Sequence, residues 1–166
     1  MAREKWLILF TLTFIPVLAL AEQKAQNNPM ANITIISSQE FKGFDKCKIS
    51  NKLSATLDRL INNVNPVKKE ESVLTYSIKS EVMGLPAKAL IIGVCNDGSR
   101  ACGWGSFLAV VISKPLKEAK SQLKKRTGID FTKEKRAKEF QVTLRPVLAE
   151  GQNSYESVIF CDPGIL

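Results

Sequence analysis

Apolar positions recur along this chain in two periods, and the change from one to the other marks out its elements. Ile49, Leu53, Leu57, Leu60, Ile61 and Val64 fall three and four residues apart, which predicts an amphipathic helix over about 48–64, stopped by Pro66. Residues 31–37 and 73–80 read as strands, the second ending at a Gly84/Pro86 break. The apolar, β-branched runs 87–95 and 104–113 flank a stretch rich in turn formers and predict an antiparallel hairpin. Ser113 with Pro115 at one end and Gly128 at the other bound a second helix, whose narrow apolar stripe is Leu116, Ala119 and Leu123. Thr132 is placed to cap a short helix over about 133–139, and strands are expected at 140–148 and 154–161 around Glu150-Gly151-Gln152-Asn153.

The order is therefore β-α-β-β-β-α-β-β, and the expected fold class is α+β: a single domain with an antiparallel sheet, two main helices packed on one face, and two disulfides. The domain is placed at 31–166. Ahead of it, Arg3 and Lys5 precede an apolar run from Trp6 to Leu20 that closes on Ala19-Leu20-Ala21, the pattern of a cleaved export signal over 1–21. That run is about 15 residues long against the roughly 20 that span a bilayer, and Pro16 interrupts it, so no transmembrane segment is expected after signal cleavage. Residues 22–30 are polar and read as a flexible leader. The expected location is periplasmic or secreted.

Export changes how the four cysteines are read. In an oxidising compartment they are expected to form two disulfides. Of the three possible pairings we favour Cys95 with Cys102, at the ends of one hairpin, which leaves Cys47 with Cys161. The spacing of Cys95 and Cys102 is not that of a zinc knuckle or a redox CxxC motif, so no metal and no cofactor is expected. The chain has no histidine, which removes Ser-His-Asp and Cys-His nucleophilic systems and every zinc site that needs imidazole. Gly103-Trp104-Gly105-Ser106-Phe107-Leu108 lacks the second glycine of a nucleophile elbow, and the carboxylates are scattered, so the expectation is a non-catalytic protein.

Charge adds a candidate surface. The chain has 24 Lys plus Arg against 16 Asp plus Glu. Losing residues 1–21 would leave 22 basic against 15 acidic, and ten of the basic residues, with three acidic ones, fall between Lys114 and Lys138. The whole positive excess thus sits in one region, with Lys117, Lys120, Lys124, Lys125, Arg126, Lys133, Lys135 and Arg136 as its candidate basic patch. A solvated outer helix face is the plain alternative to a surface for an anionic partner. Nucleic acid is disfavoured because no aromatics interleave with these charges. The second candidate is the hairpin tip, with Asn96, Asp97, Ser99 and Arg100 as a partner-binding loop. A disulfide-clamped loop loses less entropy on entering a partner's cleft.

Residues 89–95, the loop, Cys102-Gly103 and residues 107–111 together resemble the central hairpin of Ivy-type periplasmic inhibitors of vertebrate lysozyme. The resemblance covers about residues 89–111. It implies an exported protein built as an antiparallel sheet with helices, with a disulfide-framed loop that enters a hydrolase cleft. The chain departs from that family in having a longer loop without histidine, so a carboxylate contact here would fall to Arg100. The leading expectation is an exported binding protein that inhibits or neutralises another protein, a cell-wall hydrolase or toxin, through the clamped loop. The alternative is an envelope-associated structural protein that holds anionic lipid or polymer through its basic helix.

Overall fold

The first helix forms where its apolar spacing predicts, over α1 (Asn51–Asn63), and it begins at Ser50 for a local reason. The Ser50 hydroxyl accepts the Leu53 N–H at 3.1 Å and donates to the Glu40 carbonyl at 2.6 Å, so one side chain caps the helix and ties it to the preceding turn. This computed structural model describes residues 33–95, 98, 107–133 and 145–162. Among them the other elements are β1 (Thr34–Ile35), 3-10 turns at Ser38–Phe41 and Phe44–Lys46, β2 (Lys68–Glu70), β3 (Val73–Val82), β4 (Leu85–Gly93), β5 (Leu108–Ile112), α2 (Leu116–Thr127), β6 (Val147–Glu150) and β7 (Ser157–Cys161). The expected signal and leader, the short helix over 133–139 beyond Lys133, and the start of the 140–148 strand lie outside the described residues.

The fold is α+β on one seven-stranded sheet, ordered β1-β3-β4-β5-β7-β6 with β2 also on β3. It is a mixed sheet, which corrects the antiparallel expectation: β1 runs parallel to β3, with Thr34 opposite Ile78. The cause is the connection. Two 3-10 turns and α1 separate these strands and carry the chain back to the same end of the sheet, as a parallel pair requires. Of the strand expected over 31–37, the described residues 33–37 contain Thr34–Ile35 as strand, and Lys68–Glu70, exposed throughout and without alternation, forms an edge strand that its pattern did not announce. Gly84 is no break. Met83 and Gly84, with φ of 53° and 79°, make a two-residue turn between β3 and β4.

Register gives the sheet one continuous apolar face. Tyr76, Leu90, Val110, Ile159 and Leu148 stand opposite one another across five strands, and Leu74, Ile92, Leu108 and Cys161 form the adjoining row. All belong to a single hydrophobic cluster, joined by Leu53, Leu57 and Leu60 from α1 and by Ala119 and Leu123 from α2. Strict alternation would turn Leu85 and Ala87 away from Leu90 and Ile92. A bulge between Ala87 and Ala89 adds a residue, Lys88, and keeps all four buried.

The second helix ends as expected, with Gly128 in the left-handed region and its N–H on the Lys124 carbonyl at 2.8 Å. Its start differs. Ser113 does not cap it: the Ser113 N–H is drawn to the Pro86 carbonyl at 2.9 Å, continuing the β4–β5 ladder, and Pro115 takes the cap position without a side-chain bond. Cys47 and Cys161 are joined, with Cα atoms 5.4 Å apart and a separation of 114 positions in sequence. The bridge fastens the turn before α1 to the last strand, and both residues are buried.

Candidate functional site

The loop singled out in the sequence springs from the best-supported part of the sheet. Every residue of β5 is buried, and so are Leu90, Ile92 and Gly93 of β4. The Gly93 N–H donates to the Phe107 carbonyl at 2.9 Å, which closes the hairpin just before the loop begins. The Val94 N–H donates to the Ser72 carbonyl at 2.8 Å, anchoring the outgoing strand to its other neighbour. The chain then turns at once: the Gly98 N–H reaches the Cys95 carbonyl at 2.8 Å, with Gly98 at φ 82°, where glycine is favoured. Cys95 is itself disulfide-bonded. Its expected partner Cys102, and the loop residues Asn96, Asp97, Ser99 and Arg100, lie outside the described residues.

The basic patch divides into tethered and open cations. Lys120 is tethered: its ammonium donates to Thr132 Oγ1 at 3.1 Å and lies 3.3 Å from Asp130 Oδ2. Asp130 is held well below the usual carboxylate range, at about 2, chiefly by the Thr132 hydroxyl and backbone N–H and then by Lys120. Arg126 is also occupied. Its guanidinium lies across Gly84, where a Cβ would fall 0.8 Å from Nη1, and it donates to the Met83 carbonyl at 3.3 Å. Lys114 pairs with Glu118. That leaves Lys117, Lys124 and Lys125 exposed on α2, with no ion pair among the described residues, and Lys133 exposed beyond it. Lys135 and Arg136 lie outside the described residues. Sequence spacing treated these side chains alike, because only folding brings Asp130, Thr132 and Gly84 up to the helix.

Two surface grooves had no signal in the sequence. One, about 500 Å³, runs between the 3-10 turns and the β3–β4 turn, with Phe41 and Met83 among its lining and Lys42, Asp45, Glu81 and Arg126 bringing both charge signs to it. The other, about 450 Å³, lies between the start of α2 and the β6–β7 turn. Among the described residues no three His, Cys, Asp or Glu side chains gather as metal ligands, and no helix is long and apolar enough to cross a membrane. Among the described residues three hydroxyls are buried without a partner, those of Tyr76, Ser80 and Ser157. Burial pushes the Tyr76 phenol up from its ordinary value.

No protein-family model, curated protein or solved structure matches this chain.

Proposed function

We propose that this chain is an exported, non-catalytic binding protein that inhibits or neutralises another protein, a cell-wall hydrolase or toxin, through the loop 96–101 clamped between Cys95 and Cys102. The observation that carries the reading is the footing of the loop. It leaves two adjacent buried strands, closed by the Gly93–Phe107 hydrogen bond, and turns tightly between Cys95 and Gly98. A loop on such a footing enters a cleft with little loss of conformational entropy, and Arg100 at its centre carries a planar fork of donors suited to a carboxylate. The likeness of residues 89–111 to the Ivy-type hairpin points to the same class of target.

The test is inhibition of a vertebrate-type lysozyme and a panel of other cell-wall hydrolases, acting on cell-wall suspensions, by the purified protein. Inhibition of one member that Arg100→Ala abolishes supports the reading. Absence of inhibition across the panel, or inhibition that Arg100→Ala leaves intact, refutes it. A second reading, attachment to an anionic envelope surface, draws on the open cations Lys117, Lys124 and Lys125. Under it the loop variant is silent, and salt alone releases the protein from anionic vesicles.

A further inference from the structure

The groove between the 3-10 turns and the β3–β4 turn is lined by four charged residues that do not neutralise one another. Lys42 and Asp45 line it from the 3-10 turns, Glu81 from the end of β3 and Arg126 from the end of α2. Arg126 lies over Gly84 of the β3–β4 turn, so each wall brings one cation and one carboxylate. None of the four has an ion-pair partner among the described residues. Asp45 is half-buried, and its carboxylate accepts no hydrogen bond from them either.

Both walls are held in place by bonds of their own. On one side Ser37 and Glu40 close a capping box on the first 3-10 turn, and Glu40 accepts from Thr56 Oγ1 at 2.6 Å, which ties that turn to α1. Phe41, which lines the groove, is anchored edge-on against Phe44 with ring centres 5.8 Å apart. On the other side the absence of a Cβ at Gly84 admits the Arg126 guanidinium, whose Nη1 donates to the Met83 carbonyl. That leaves the Nε–Nη2 edge, which a carboxylate can take in a two-pronged pair, without a partner among the described residues. Phe41 and Met83 add apolar surface, and the volume of about 500 Å³ suits a small ligand.

We propose that this groove binds a short, largely apolar peptide with free amino and carboxyl ends. Arg126 holds the carboxylate, Asp45 on the facing wall holds the ammonium, and an apolar side chain between them rests on Phe41 and Met83. Charge selects for a zwitterion: an anion alone would face Asp45 and Glu81, a cation alone Lys42 and Arg126, whereas a ligand carrying both signs meets an opposite charge on each wall. Because the turns and the guanidinium are already in place, little ordering is left to be done on binding. The site is separate from the loop 96–101 and independent of the function proposed for it.

The test titrates the purified protein by calorimetry with Ala-Ala-Ala, Ala-Leu-Ala and Ala-Phe-Ala, each with free ends, as the C-terminal amide and as the N-acetyl derivative. At least one free peptide is expected to bind, and capping either end should weaken it several-fold. Arg126→Ala should bring the free peptide down to the affinity of its amide and cost the amide nothing further. Asp45→Asn should do the same with respect to the N-acetyl form. Arg126 is exposed, so the melting temperature of Arg126→Ala should stay close to that of the wild type. No binding by any free peptide, binding indifferent to capping, or a loss in Arg126→Ala as large for the amide as for the free peptide would each overturn the proposal.

Discussion

Removing the Cys47–Cys161 bridge by the double substitution Cys47→Ala/Cys161→Ala tests what holds this fold together. The bridge closes nearly the whole domain, its ends 114 positions apart in sequence. In the chain-entropy picture a loop of that length restricts the unfolded ensemble by about 5 kcal/mol, where a loop of 15 residues gives about 3. Native packing changes less, because each substitution removes one sulfur from the interior. A domain of this size has a total stability of roughly 5–15 kcal/mol, so the variant should sit near its folding threshold. Its melting temperature should fall by roughly 15–20 °C. The assay is urea unfolding of the wild type and the variant, followed by circular dichroism. The midpoint should drop, and the slope with denaturant should rise, because the uncrosslinked unfolded chain exposes more surface. In stopped-flow mixing, the division of the loss between folding and unfolding rates reports whether the two linked ends are already together in the transition state. A loss below about 2 kcal/mol would refute the entropic account.

Two further predictions concern groups away from the loop. The buried hydroxyls of Tyr76 and Ser157 have no partner, so Tyr76→Phe and Ser157→Ala should each leave stability unchanged or raise it by about 1 kcal/mol in the same urea assay; a loss above about 1 kcal/mol from either would mean the hydroxyl is hydrogen-bonded after all. Asp130 has a folded value of about 2 against an ordinary 3.8. Its contribution is fully present above the ordinary value and is lost as pH falls through the folded one, so stability should decline between about pH 4 and pH 2, and less steeply in Asp130→Asn. An unchanged pH slope in that variant, measured by melting temperature, would remove Asp130 from the acid response.

Local pattern made the two helices legible. Their residues repeat at helical spacing, and Gly128 ends α2 through its own backbone. The β4–β5 pairing was legible for the same reason, as two apolar runs joined by a short connection, and so was the pairing of Cys47 with Cys161 once export was inferred. The 3-10 turns left no periodic signal because Ser38–Phe41 and Phe44–Lys46 are too short to repeat a period; the one cue was the capping box of Ser37 and Glu40. The expected cap at Ser113 failed because Ser113 still belongs to the β4–β5 ladder and the helix starts only at Leu116, with Pro115 at the cap position. Of the candidate surfaces, the loop's footing was readable and the groove between the start of α2 and the β6–β7 turn was not, since its two walls come from segments far apart in sequence, around Lys117 and around Gln152.

The sequence by itself determined what depends on neighbours along the chain: the helical faces, the turn residues, the lack of imidazole chemistry, and a cysteine set suited to cross-linking. Tertiary structure alone decided the parallel placement of β1, the bulge at Lys88 that keeps β4 facing the core, and which cations stay open. The physical reason is that these depend on groups brought together from distant positions. Lys120 is neutralised by Asp130 and Thr132, and Arg126 is laid over Gly84, only after α2 docks against the sheet.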